Sequence, residues 1–187
     1  KNIEQIDEVT YHVEIYDYVT DALGEPITAD DIIFCMESMS NSGKFTRYTN
    51  YLDSVTKLDD YNIEIKLKTT TVGALEYLFA QTCIVDQGTY EKYKDQFSTK
   101  PITTGAYQVE ECVQGSYYIL AKNENYWQQD ESLRSYAANQ QIDKFRYNVI
   151  TESSQATMSI QTGTDQIITV VGNNELSYFV NSDGQPA

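Results

Sequence analysis

The sequence has one histidine, His12, in 187 residues. Any Ser-His-Asp triad would have to use it, and no GxSxG elbow supplies the nucleophile. Metal ligands are equally scarce. A zinc site draws several His or Cys at short spacing, whereas Cys35, Cys83 and Cys112 lie far apart and no CxxC occurs. Three is an odd count for a disulfide framework, so three free, buried thiols are expected, with one disulfide plus one free thiol as the minority case. Neither GxGxxG nor GxxxxGKS/T occurs, Gly43-Lys44 being followed by Phe45. Positive charge is in short supply, with 13 Lys and Arg against 28 Asp and Glu and a net charge of −15. That deficit argues against a nucleic-acid partner, whose phosphates need a basic face. No apolar run approaches the ~20 residues of a membrane-spanning helix, and the first residues lack the charged start and apolar stretch of a signal peptide. These absences leave no catalytic residue, no metal ligand and no cofactor to name. Paired carboxylates for glycoside chemistry stay open, because separation in space is not legible in so acidic a chain.

Tyrosine is abundant, at 16 residues. Tyrosines give rigid contact area with a polar tip, and they also serve as ordinary strand residues, so composition leaves both roles open. The apolar fraction of 41% is that of a globular protein, and a chain of this length buries roughly 70% of its unfolded surface. No repeat, low-complexity tract or dividing linker interrupts it.

The stretch from Pro101 to Trp127 organises the rest. Gly105 follows Pro101 and two threonines, where unusual backbone angles are expected. Tyr107, Val109 and Val113 predict a strand, Gln114-Gly115-Ser116 a hairpin turn, and Tyr117 to Ala121 the return strand. The hairpin runs into the only tryptophan, Trp127, as an aromatic plug of the core. Upstream, residues 1 to 8 are polar and read as frayed, and Tyr11, Val13 and Ile15 alternate as a strand. Thr28 caps a helix with Asp31 completing a capping box, and Ala29, Ile32, Ile33, Met36 and Met39 form its buried face. Residues 44 to 52 are an aromatic-rich link. Asp53 to Leu58 and Asn62 to Lys68 read as strands, with Ile63, Ile65 and Leu67 pointing inward. Thr71 to Ala80 has helical spacing at Val72, Leu75, Leu78 and Phe79, Cys83 to Val85 reads as a short buried strand, and Gln87 to Gln96 as a small helix. After the hairpin come a polar loop from Gln128 to Gln140, a strand through Phe145 and Tyr147, and a helix from Glu152 to Gln161 ended by Gly163. Two last strands are expected at Ile167 to Val171 and Leu176 to Val180.

In this order, several of these pieces resemble the extracytoplasmic solute-binding proteins of ABC importers for peptides, nickel and some oligosaccharides. Tyr11-His12-Val13-Glu14-Ile15 is similar to the family's Y-x-F-x-L-R strand. Gly24 to Ile32, GEPITADDI, resembles D-G-x-P-L-T-A-D-D-V; Pro101 to Tyr107, PITTGAY, resembles P-V-G-T-G-P-Y; and Asn123 to Trp127, NENYW, resembles R-N-P-x-Y-W. Ile142 to Ile150, with Ala156, Gln161, Gly163 and Asp165, resembles I-D-x-I-x-F-x-V-I and the A-x-L-Q-S-G-E-I-D helix. The chain departs from the pattern at Thr103-Thr104-Gly105-Ala106, which has one glycine and one proline fewer, and at Tyr16 to Ala22, which replace D-G-x-K-F.

The resemblance implies an α/β fold, a mixed-sheet lobe of a two-lobed, type II periplasmic-binding-protein-like molecule that closes on its ligand by hinge motion. Family members are several hundred residues longer, so residues 1–187 are expected to be a single lobe of a larger receptor, the second lobe lying outside this chain. It further implies a non-catalytic protein, a peptide or small-molecule ligand, an ABC permease as partner, an extracytoplasmic location, and a membrane reached only through an anchor not in this chain. One ligand-binding position carries over. Thr46 to Leu52, TRYTNYL, resembles S-P-Y-A-S-Y-L, whose first tyrosine faces the ligand in peptide-binding members, and this implies that role for Tyr48. Arg47 stands where the family has proline, and Tyr51-Leu52 are expected to turn back to the core. Two other readings compete with this one. They are an acidic, Tyr-rich extracellular interaction domain without a transport role, and a carbohydrate-active enzyme.

Overall fold

The computed structural model describes residues 1–181 and 185, except for the side chains of Thr46 and Tyr48. The chain divides into two compact units, residues 1–112 with 119–145 and residues 113–118 with 146–187.

The first unit is built on a four-stranded sheet of β1 (Asn2–Gln5), β2 (Thr10–Glu14), β3 (Leu52–Asp59) and β4 (Asn62–Leu67), in the order β1-β2-β4-β3. Every pairing in it is antiparallel. The strict alternation of β4 does what period-2 patterning predicts, placing Ile63, Ile65 and Leu67 in the core. β1 overturns the expectation of a frayed start. All four of its residues are exposed, yet its backbone pairs with β2 in the register Ile3↔Val13, and Lys1 reaches Glu14 at 2.8 Å. An edge strand needs only a main-chain ladder, which hydrophobic patterning cannot register.

Helix α1 (Ala29–Asn41) lies on this sheet. The Thr28 backbone N–H and hydroxyl both donate to Asp31 Oδ2, at 2.8 and 3.0 Å. Asp31 Oδ1 accepts the N–H of Gln87, the first residue of α4 (Gln87–Tyr93), so one buried carboxylate serves two helix starts. Cys35 is buried, and Ala29, Ile32, Met36 and Met39 are buried in one cluster with Ile27, Ile63, Ile65 and Leu67. Each such large side chain contributes roughly 1.5–3 kcal/mol on leaving water. Helix α3 (Ala74–Gln81) completes the cluster with Leu75 and Leu78. It starts later than its spacing predicts, because Gly73 takes the left-handed backbone (φ +80°) that breaks a helix. Val72, counted above on the buried face, is consequently fully exposed. Asp21 is wholly buried; it accepts the N–H groups of Leu23 and Glu25 and the hydroxyl of Thr89, tying the turn before α1 to α4.

The expected strand at Cys83 to Val85 is absent. Cys83 is exposed, and the Val85 backbone instead wraps the sulfur of Cys35, donating to it at 3.4 Å and accepting from it at 3.5 Å. The three cysteines are unpaired, but only Cys35 is buried.

Strands β5 (Tyr107–Val113), β6 (Tyr117–Lys122) and β7 (Lys144–Asn148) form a second sheet in the order β5-β6-β7, with Gly115 at φ +75° in the hairpin turn. In the second unit, Tyr118 stacks on Tyr147 with ring centroids 4.8 Å apart, and Arg146 lies 3.6 Å over the ring of Tyr117. Helix α5 (Ser153–Gln161) follows as expected. The last two predicted strands do not form. Ile167 and Val170 sit in irregular backbone, 80% and 77% exposed, and Leu176–Tyr178 is a 3-10 turn. A short apolar run becomes a strand only where a neighbouring ladder receives it.

Candidate functional site

Two surfaces of the first unit hold the residues that the sequence singles out. One surrounds Tyr48. α1 ends where Ser40 and Ser42 turn their hydroxyls back onto the carbonyls of Met36 and Met39, and Gly43 (φ +69°) reverses the chain. A single helical turn follows, α2 (Thr46–Thr49), held because the N–H and hydroxyl of Thr49 both donate to the Phe45 carbonyl. The Tyr51 carbonyl then accepts the N–H of Lys68 at 2.9 Å, pinning the segment to the end of β4. α2 also packs against α3. Beside α2 runs a groove of about 560 Å³, lined among others by Glu37, Asn41, Thr49, Asn50, Asp53 and Lys68.

Tyr48 has its backbone in α2; its side chain lies outside the described residues. Of the two residues expected to turn inward, Leu52 packs against the core but Tyr51 stays 39% exposed. Phe45 and, on α3, Tyr77 are exposed as well. Pattern reading gave Phe45 no role and turned Tyr51 inward because the segment between α1 and β3 is too short to show a period. The available signal was aromatic density between two regular elements.

The other surface is the plug around Trp127. Tyr126 is buried and Trp127 half-buried, its indole N–H donating to the Thr104 carbonyl at 2.9 Å. The rings of Tyr16 and Tyr18 lie 6.4 and 6.0 Å from Trp127 and 5.0 Å from each other. The plug is thus four aromatic rings, two of them from the segment that departs from the family pattern. Buried Asn123 donates to the Gly105 carbonyl, and Gln140 donates to the carbonyls of Ala106 and Asn123, so the turn at 103–106 is held by side-chain amides. Gly105 keeps ordinary backbone angles, contrary to expectation. A Cβ there would sit tightly, 3.3 Å from both Thr103 Oγ1 and the Tyr107 carbonyl.

Titratable groups are arranged for structure. Burial pushes the Tyr126 phenol up, with nearby Arg134 pulling the other way. Burial likewise pushes the Cys35 thiol up to about 11, against the Val85 backbone hydrogen bond, which keeps it a thiol at neutral pH. His12 meets Glu64 at 3.1 Å as a half-exposed cross-strand pair. Among the described residues no three His, Cys, Asp or Glu side chains are grouped to hold a metal ion, and no helix is long and apolar enough to cross a membrane.

Comparison with known proteins sets these surfaces in context. The profile of the bacterial extracellular solute-binding proteins, family 5 Middle, matches residues 4–186. The oligopeptide-binding protein AppA of Bacillus subtilis is 28% identical over 174 residues, 87% of this chain and 30% of its own. The peptide transport periplasmic protein SapA of Haemophilus influenzae is 26% identical over 139 residues, 71% of this chain and 25% of its own. A solved structure of the B. subtilis AppA in complex with a nonapeptide superposes with a TM-score of 0.68 at 26% identity, over 88% of this chain and 33% of that one. The chain therefore spans about a quarter to a third of the length of these relatives. Its α/β fold is that of a lobe of the periplasmic-binding-protein type, as the sequence motifs imply. The chain belongs to the bacterial extracellular solute-binding proteins of family 5.

Proposed function

We propose that this chain is part of the peptide-binding component of an ABC importer, that residues 1–187 all contribute to one lobe of that receptor, and that it works outside the cytoplasm without catalysing a reaction. The observation that carries the reading is the 26% likeness, over 88% of the chain, to a structure that holds a nonapeptide. The segment around α2 supports it. It presents aromatic side chains to solvent beside a groove, where a packing element of the same length would bury them. In this reading Tyr48 faces the ligand, and an ABC permease receives the cargo. Since the relatives are about three times as long, this chain offers only part of the surface that encloses a ligand, and most of the burial that gives affinity is absent.

The test is a titration of the isotope-labelled full chain with end-blocked peptides of increasing length, followed through backbone amide shifts. Weak binding is expected, with dissociation constants of roughly 0.1–10 mM and shifts centred on residues 44–52. Tyr48→Ala should abolish those shifts and leave the melting temperature nearly unchanged. A submicromolar peptide complex would overturn the partial-surface reading. Unperturbed amides at 44–52 with every peptide would overturn the peptide reading itself.

A further inference from the structure

Every residue from Ile167 to Val171 is β-branched: Ile-Ile-Thr-Val-Val. Such stiff side chains favour a strand, where they pack on a pleated surface. The second unit gives the run nothing to join. No backbone hydrogen bond links residues 166–171 to any other described residue, and Ile167 and Val170 are largely exposed. Both ends are nevertheless fixed. The Asp165 N–H donates to the Ser159 carbonyl in the last turn of α5 at 3.1 Å. The Asp165 carboxylate accepts the side-chain amide of Asn148, the last residue of β7, at 2.7 Å. At the other end Gly172 lies so close to the start of α5 that a Cβ there would come within 2.9 Å of Ser153 Oγ. The run therefore travels back along α5, from its last turn to its first. A segment that only connects would carry Gly, Asn, Asp or Ser, which suit exposed turns. This one carries the opposite choice.

We infer that residues 166–171 are an interface strand, which pairs through its main chain with a strand from the part of the receptor outside residues 1–187. The inference rests on the reading of this chain as part of a larger receptor, and adds where the remainder attaches. Two observations select this occupant. The aligned parts amount to only 25% of SapA and 30% of AppA, so most of a receptor of that length is available to supply the strand. The family profile also runs through the segment, to residue 186, which makes the run part of the shared fold. Main-chain pairing asks little of the partner's sequence and takes up the N–H and C=O groups that the run leaves to water. A second copy of this chain is the competing occupant. Identical β-branched edges pair with one another readily, and that is a route to aggregation. A strand from the same receptor forestalls it.

The test is amide hydrogen exchange, followed residue by residue, on the 187-residue chain and on the receptor expressed with the coding sequence that flanks it. In the chain alone, amides 166–171 should exchange as in an unstructured peptide while those of Ile63 and Ile65 stay protected. In the receptor, amides within the run should slow by at least about a hundredfold. Proline substitution supplies a second measurement. Thr169 and Val170 are exposed neighbours whose N–H groups have no described partner and, in a strand, point to opposite edges. Thr169→Pro and Val170→Pro should each leave the melting temperature of the chain unchanged, and at least one should lower that of the receptor. Amides 166–171 that exchange as freely in the receptor as in the chain overturn the inference, as does a reading frame that adds no residues to these 187. Protection in the chain alone also overturns it. If that protection rises with concentration the strand comes from a second copy, and if it does not the ladder lies within residues 1–187. None of these results involves amides 44–52, where the peptide reading is tested, so the two readings fail separately.

Discussion

The first unit closes a core around Met36, Ile63, Ile65 and Leu78, each nearly inaccessible to solvent, with α1 and α3 laid against the alternating face of β4. Residues 113–118 and 146–187 do not. Among the described residues of that second unit the only buried side chain is Thr157, and Ile167, Val170, Met158 and Tyr178 are all exposed. The buried polar groups repeat the contrast. Asp21 of the first unit has three donors to its carboxylate, whereas the Thr157 hydroxyl has no partner among the described residues. Apolar residues are present in both units. What differs is whether a long amphipathic helix and a patterned sheet face each other, because that arrangement alone removes many side chains from water at once.

The strongest way to break the contrast is to cut a side chain from each unit. Leu78→Ala should cost about 3–4 kcal/mol of unfolding free energy, as the loss of a buried leucine with its cavity usually does. Met158→Ala should stay within about 0.5 kcal/mol, as at exposed sites generally. Denaturant titration reads both, and similar losses at the two positions would show that the second unit holds a comparable core. The buried polar groups allow a sharper comparison. Asp21→Ala leaves two backbone N–H groups and a hydroxyl without their acceptor and should cost about 2–3 kcal/mol. Thr157→Val removes an orphaned hydroxyl at constant shape and should be neutral or stabilising by up to about 1 kcal/mol. A destabilised Thr157→Val would mean that the hydroxyl has a partner in solution.

A further effect concerns pH and belongs to the first unit alone. The Cys35 thiol is raised from about 9 to about 11 by burial. Above the lower value the unfolded chain releases this proton while the folded chain still holds it, so the contribution is fully present below pH 9 and is lost as pH rises towards 11. The loss amounts to roughly 3 kcal/mol when pH passes the upper value, at about 1.4 kcal/mol for each pKa unit. It should appear as the difference in alkaline stability slope between the native sequence and Cys35→Val, whose side chain does not titrate. Identical slopes would place the thiol in water.

Much of the first unit was legible before any coordinates. Thr28 with Asp31, the 3.6-residue spacing of Ile32, Met36 and Met39, and the alternation of Ile63, Ile65 and Leu67 are local signals with one geometric solution each. The hairpin at Gly115 and the helix ended by Gly163 were legible for the same reason. Strand β1 was not, because its bonds are all main-chain and its side chains all exposed. The pattern at Ile167 and Leu176 misled, because an apolar run states a preference for burial and not the presence of something to be buried against.

The sequence by itself thus determined the capped helix α1, the inward face of β4, the turn at Gly115 and the order of motifs that marks the family. These rest on residues close together in the chain, whose sterics and hydrogen bonds act whatever surrounds them. Only the tertiary structure decided that Tyr16 and Tyr18 would complete the cluster at Trp127, 100 residues away and more, and that the N–H of Lys68 would reach the Tyr51 carbonyl beside α2. Both outcomes depend on which distant segments a closed core brings into contact. Charge and aromatic character are written in the sequence, but their neighbours are set by packing.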